Sequence, residues 1–228
     1  MTICLSDAGK RFNRDWIFRH FNYTFQAGQS YAITGPNGSG KSTLLQALSG
    51  GMYINEGVIE FGACLPDRQV RSLPTGQAGS ETGARKQSTI ISTENIYQQV
   101  SICAPYLEVV EEMTLREFLN FHHGFKPFLP GVTTDSIISA IGLEKAVNKQ
   151  IRYYSSGMKQ RVKLAQCILS DTAIVLLDEP CTNLDKEGIE LYDSLINDYC
   201  KDRLVVVSSN DEVEYKFCKV KINISDYK

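Results

Sequence analysis

Gly35, Gly40, Lys41 and Ser42, within Gly35-Pro36-Asn37-Gly38-Ser39-Gly40-Lys41-Ser42-Thr43, have the types and spacing to hold a polyphosphate. Glycines let backbone N–H groups approach phosphate oxygens closely, and the N-terminus of a following helix adds its positive end. Lys41 would reach the β and γ phosphates, and the Ser42 hydroxyl would ligate Mg²⁺. The flanks have the matching form: Ser30–Thr34 reads as a short buried strand leading in, and residues 42–48 as a helix leading out. An unspecialised Gly-rich turn is the alternative, and this strand–loop–helix context weighs against it. The stretch implies that the chain binds a nucleoside triphosphate.

A second constellation lies in the other half. Ala173-Ile174-Val175-Leu176-Leu177-Asp178-Glu179 is an apolar run without alternation that ends in two carboxylates. Such a run suits a parallel strand buried on both faces. It would deliver Asp178 beside the magnesium, to hold the metal through its water shell. Glu179, pointing differently, would take a proton from a water attacking the γ-phosphate. A strand ending in a solvated acidic turn is the alternative, and the phosphate loop upstream favours hydrolysis over it.

With these two motifs in place, the chain resembles the ABC-type ATPases, the nucleotide-binding subunits of ABC transporters, over about residues 10–211. Tyr154-Ser155-Ser156-Gly157-Met158-Lys159-Gln160-Arg161 is similar to the family signature, Leu-Ser-Gly-Gly-Gln with a basic tail. Ser155 and Gly157 match; Ser156 and Met158 stand for the first glycine and the glutamine. The resemblance implies that Ser155, Ser156 and Gly157 cap the γ-phosphate held by an opposite subunit. It thus implies a head-to-tail homodimer or heterodimer with ATP between the subunits. A serine and free N–H groups at a helix N-terminus suit an anion, and equally an ordinary N-cap before a helix over residues 158–169. Asp185, in Pro180-Cys181-Thr182-Asn183-Leu184-Asp185, takes by resemblance the role of the aspartate that communicates across the dimer. Phe12 lies about where the family places an aromatic that stacks on adenine, with Trp16 nearby as the other candidate; stacking of this kind contributes about 1–3 kcal/mol per base.

Two positions depart from the family. A glutamine that touches magnesium and senses the membrane partner normally follows the strand read at Val100-Ser101-Ile102-Cys103; here Ala104-Pro105-Tyr106-Leu107-Glu108 follows, while Gln98 and Gln99 precede the strand. Glu108 is a candidate to approach the metal instead. After the strand at residues 204–209, the family has a histidine that contacts the γ-phosphate; here it is Asn210, which donates a hydrogen bond but cannot become a cation. Hydrolysis is therefore expected to be slower than with the full set, with Glu179, Lys41 and Asn210 as the catalytic residues.

The 228 residues, 43% hydrophobic and 22% charged, suffice for one domain with a real core. The expected fold class is α/β: a P-loop NTPase with an ABC-type antiparallel β subdomain and a helical insertion subdomain. Residues 1–105 and 156–228 would form the ATP-binding core, and about 106–155 the helical subdomain. Residues 66–88, rich in Gly, Ser, Thr and Gln, read as a flexible insertion. Short strands are expected over residues 2–6, 18–25 and 57–61. Thr114 and Glu117 have capping-box spacing at a helix start. Phe118, Phe121, Phe125 and Phe128 read as a core stripe or a docking groove; Tyr153 and Tyr154 read as packing residues; adjacent His122 and His123 would point to different helix faces.

A net charge of −2 gives no footprint for nucleic acid. No apolar run reaches the ~20 residues of a membrane span, and the N-terminus lacks a secretory layout. Seven scattered cysteines without a Cys-x-x-Cys pair point to reduced thiols in the cytosol. The reading is thus of a cytoplasmic protein, peripheral on the membrane's cytoplasmic face, binding ATP and Mg²⁺ and joined to a separate membrane-spanning transporter subunit without inserting itself. A soluble ABC-type ATPase acting on a cytosolic assembly, and an ATP-binding module of slow turnover, are the alternatives.

Overall fold

Alternating apolar residues and β-branched runs build two sheets. The computed structural model describes residues 1–62 and 93–228; the insertion expected over 66–88 lies outside the described residues. Strand β1 (Thr2–Phe12) pairs antiparallel with β2 (Asp15–Phe25), turning through Asn13 at φ 54°, and on its other edge with β4 (Glu56–Gly62). β1 and β2 are longer than the sequence pattern indicates. Register shifts around Asp7 and Gly9 break the period-2 alternation without ending the strand. A Cβ at Gly57 (φ +74°) would lie 2.2 Å from the Asp7 carbonyl oxygen, so only glycine allows β4 to close on this bulge.

The second sheet is parallel throughout. Its order is β5 (Val100–Cys103), β6 (Ile174–Asp178), β7 (Leu204–Ser208), β3 (Ser30–Thr34), β8 (Val220–Asn223). β6 and β7 are buried along their whole length, as expected of central parallel strands. Alternate residues feed two cores. Ile174, Leu176, Leu204 and Val206 pack with Leu44, Leu45 and Leu48 of α1 (Lys41–Leu48) and with Ile3, Phe18, Phe21 and Phe25 of the antiparallel sheet. Val175, Leu177, Val205 and Val207 pack instead with α4 (Ser156–Ile168) and α5 (Lys186–Tyr199).

Between β5 and α4 the chain forms α2 (Leu115–Phe125) and α3 (Thr134–Ala140), whose Leu115, Leu119 and Ile137 join that second core. The Thr114–Glu117 capping box is present: Thr114 Oγ1 accepts from Glu117 N, and Glu117 Oε2 accepts from Thr114 N. Among the described residues no helix is long and apolar enough to cross a membrane.

Three expectations need correction. Phe118 and Phe128 are buried, but Phe121 and Phe125 are 48% and 74% exposed, their rings 4.9 Å apart, so the four phenylalanines are not one core stripe. Phe125 shares the face of Phe118 by helical spacing but ends α2, two turns beyond it. Tyr154 is buried and its hydroxyl donates to the Ala146 carbonyl at 2.7 Å, whereas Tyr153 is largely exposed. Cys103, Cys167, Cys181, Cys200 and Cys218 are free thiols as expected, but Cys4 is disulfide-bonded.

Candidate active site

The parallel order β6-β7-β3 puts the carboxyl ends of three neighbouring strands on one sheet edge, where open α/β sheets bind ligands. β3 runs into the Gly35–Thr43 loop, β7 ends beside Asn210, and β6 ends at Asp178. The register pairs Asp178 with Ser208, and Ser209 N donates to the Ile33 carbonyl. Hydrogen bonding that fixes the sheet thereby fixes the spacing of the three motifs.

The loop encloses a pocket of about 240 Å³ lined by Asn37, Gly38, Gly40, Lys41, Ser42, Thr43, Glu179 and Ile17. Lys41, the first residue of α1, is buried and donates from Nζ to the Gly35 carbonyl at 2.7 Å and the Pro36 carbonyl at 3.3 Å. These carbonyls hold the ammonium at the mouth of the loop. Gly40 (φ +105°) cannot be replaced without cost: a Cβ there would lie 2.1 Å from Ile17 Cγ2. Ile17, from β2, is the wall of the pocket that the motif-based reading missed; an apolar residue inside a strand carries no separate signal. Ser39 Oγ is buried within the loop without a hydrogen-bond partner.

Asn210 reaches the loop with both side-chain atoms. Its Nδ2 donates to Asn37 Oδ1 at 2.9 Å, and its Oδ1 accepts from Gly35 N at 3.3 Å. Asp178 is only 3% exposed and makes no ion pair among the described residues. A buried carboxylate without a cation partner is a costly arrangement unless a cation completes it, so Asp178 with the Ser42 hydroxyl fits a hard divalent ion. Gln98 and Gln99 stand at the amino end of β5, the wrong end for this site. At its carboxyl end Ala104 is buried where a glutamine would emerge. Glu108 lines a different cleft, with His122, Lys126 and Lys163. Tyr106, which the sequence did not single out, comes nearer: burial pushes its phenol above the ordinary value, with the Gln46 side chain of α1 and the charge of Asp178 among its surroundings.

Ser155, Ser156, Gly157 and Asp185 are not brought to this pocket. They line a second cleft of about 500 Å³ with Lys145 and Arg161. Ser155 is the N-cap of α4, its Oγ accepting from Met158 N at 3.2 Å. Asp185 caps α5, accepting from Gly188 N at 2.8 Å, and pairs with Arg161 at 3.1 Å; the Gly188 bond and then Arg161 hold its carboxyl below the ordinary value. Phe12 is 47% exposed at the end of β1, with Lys10 Nζ 4.9 Å from its ring centre. Trp16 is engaged by Arg19 at 4.5 Å and Arg11 at 5.4 Å. Neither aromatic lines the loop pocket.

A sequence profile described as ABC transporter matches residues 18–182, more than half of the chain. The chain belongs to the ABC transporter family. Among curated relatives of this ABC chain, an ABC transporter ATP-binding protein of Bacillus subtilis, YhcH, is 27% identical over 214 residues, covering 90% of this chain and 61% of its own. The cytochrome c biogenesis ATP-binding export protein CcmA of Rhizobium meliloti is 26% identical over 215 residues, covering 93% of this chain and 92% of its own. Among solved structures, an ATP-binding subunit of an ABC transporter superposes with TM-score 0.74 at 19% identity, covering 98% of this chain and 85% of that one. A dimeric bacterial ABC transporter cassette superposes with TM-score 0.72 at 17% identity, covering 97% and 94%. The ABC cassette fold, with its antiparallel and parallel sheets, is thereby established. The chain spans under two thirds of several curated relatives, YhcH among them.

Proposed function

We propose that this chain is the ATP-binding and hydrolysing subunit of an ABC transporter, driving a separate membrane-spanning subunit through closure of a head-to-tail homodimer or heterodimer. The observation that carries this reading is the separation of two half-sites on one chain: the loop pocket with Lys41 and Glu179, and the cleft at Ser155–Gly157 with Asp185. Each is complementary to a different side of one nucleotide, so two chains in opposite orientation complete two sites.

In that arrangement Lys41 and the N–H groups of Gly38–Thr43 hold the β and γ phosphates. Ser42 and Asp178 would hold Mg²⁺, which would supply charge neutralisation at the phosphates. Glu179 accepts a proton from the attacking water as its oxygen bonds to the γ-phosphorus; the bond to the bridging oxygen breaks, releasing ADP and phosphate. Asn210 donates to the γ-phosphate in place of an imidazole, and Phe12 stacks on adenine. Ala104 in place of a glutamine and Asn210 in place of a histidine support turnover slower than in family members that carry both. The chain then works at the cytoplasmic face of the membrane, held there by its partner.

Capture of tagged Glu179→Gln protein from detergent-solubilised membranes of the native host, with Mg-ATP, tests the reading. A multi-span membrane protein recovered with it, and lost when Lys41→Ala is added, is the expected result. Recovery of soluble proteins alone would transfer the assignment to an ATPase acting on a cytosolic assembly.

A further inference from the structure

Glu179 has a backbone conformation that side-chain-bearing residues rarely adopt, φ 45°. Such a conformation costs of order 1–3 kcal/mol and persists only where the surroundings over-determine it. Three contacts do so here, each from a different part of the chain. Glu179 N donates to the Ser208 carbonyl at 2.9 Å, tying the residue to the end of β7. The next carbonyl, Pro180, accepts from Gln160 Nε2 at 2.7 Å, a buried side chain of α4. The next N–H, Cys181, donates to Glu214 Oε1 at 2.7 Å.

Glu214 belongs to α6 (Glu212–Tyr215), four residues beyond Asn210, and is 5% exposed. A buried carboxylate needs hydrogen bonds to offset its desolvation. Glu214 obtains one from the Cys181 N–H, with the Ser209 side chain nearby also favouring its charged form, while its own carbonyl accepts from Tyr192 at 2.7 Å. Burial nonetheless pushes its carboxyl above the ordinary value, with Asp211 and Glu179 nearby adding to that. An apolar residue would fill this space at lower cost. What the carboxylate provides is a fixed acceptor, on the segment that carries Asn210, for the turn that carries Glu179.

We propose that Glu214 and Gln160 are positioning residues for hydrolysis, clamping the Pro180 carbonyl and the Cys181 N–H so that Glu179 is held in the one backbone conformation that presents its carboxylate to the loop pocket. Gln160 extends from the helix capped by Ser155, and Glu214 from the segment after Asn210. The clamp therefore joins the signature helix, the turn after β6 and the turn after β7 at one point. The inference rests on the reading of Glu179 as the base.

The test measures steady-state ATP turnover, equilibrium binding of a fluorescent ATP analogue and thermal midpoint for purified native protein, Glu179→Gln, Glu214→Ala, Glu214→Gln and Gln160→Leu. Misplacement of a reacting group by about 1 Å costs up to about 100-fold in rate, so Glu214→Ala and Gln160→Leu should each lower kcat about 10-fold or more while the analogue's Kd changes less than about 2-fold. Glu214→Gln keeps a side-chain oxygen to accept from Cys181, and should stay within about 3-fold of native turnover. Gln160→Leu, close in volume, carries the test if Glu214→Ala does not fold. The clamp is refuted if turnover and affinity fall in proportion, if Glu214→Gln is as impaired as Glu214→Ala, or if Gln160→Leu turns over normally. Native turnover that Glu179→Gln leaves unchanged would remove the base itself, and the clamp's purpose with it; native turnover abolished by Glu179→Gln but untouched by the clamp variants would overturn the clamp alone.

Discussion

Asn210 and Asn37 are joined side chain to side chain across 2.9 Å, although 173 residues separate them in sequence. The bond ties the end of β7 to the tip of the phosphate loop, and the Asn210 oxygen adds Gly35 N at 3.3 Å. One planar amide thereby accepts from Gly35 and donates to Asn37 at once. Asn210 is thus fitted to the loop itself. Loss of a hydrogen bond to a charged group costs about 1.5–3 kcal/mol, so Asn210→Ala should lower ATP turnover roughly 10-fold or more. Affinity for ADP, which has no γ-phosphate to lose, should change less than about 2-fold. Steady-state kinetics with parallel ADP titration checks both; an equal fall in ADP affinity would assign Asn210 to loop architecture only.

The sheet that places these groups was readable because its strands have one-sided or two-sided apolar patterns. Ile174–Leu177 and the run from Leu204 to Val207 have no alternation and are buried on both faces, as their composition requires. β1 was only half readable: Asp7 at φ 49° and the register shifts around Gly9 put polar residues where a regular strand would have apolar ones. Lys41 and Glu179, which the fold brings to one pocket, were legible because a phosphate-loop pattern and an acidic strand end restrict residue type and spacing. Ile17, Gln160 and Glu214 could not. Their contributions depend on contacts with Gly40, Pro180 and Cys181 that bring distant segments together, and no spacing rule encodes those.

Gly40 offers a test of loop geometry that is independent of catalysis. At φ +105° an added methyl group is strained by the backbone, at about 1–2 kcal/mol, and collides with Ile17 besides. Gly40→Ala should therefore weaken binding of an ATP analogue about 10-fold or more. Adding Ile17→Ala relieves the collision but leaves the strain, so it should recover only part of the loss. Full recovery in the double variant would show the collision to be the whole effect.

Arg203 is a structural counterpart, buried far from the loop. Its guanidinium donates to the carbonyls of Ile168, Ser170 and Thr172 and to Thr172 Oγ1, closing the end of α4 onto β6 and β7. Burial holds its pKa below the ordinary value, with Cys200 acting against that. Arg203→Ala strands these buried acceptors and should cost about 3–5 kcal/mol of stability. Urea unfolding measures the loss; ATP-analogue affinity of the folded fraction should be unchanged.

His122 makes stability depend on mildly acidic pH. Gln166 Nε2 donates to its Nδ1 at 3.1 Å, so the ring is neutral with its proton on Nε2, directed at Ser170 Oγ at 2.8 Å. Burial lowers its pKa to about 4, with Lys126 and His123 contributing; Lys163 and Glu108 share the same cleft. The unfolded chain protonates this histidine near its ordinary value while the folded chain resists until about 4. Below the ordinary value the unfolded state thus binds more protons, and the contribution, complete at neutral pH, is lost as pH falls toward 4. Discounted for partial exposure, the effect is about 1–2 kcal/mol. His122→Asn removes the titrating group. Between neutral pH and about pH 4.5, urea unfolding should show native protein losing about 1–2 kcal/mol more stability than this variant. Parallel pH profiles for the two proteins would place the titration elsewhere.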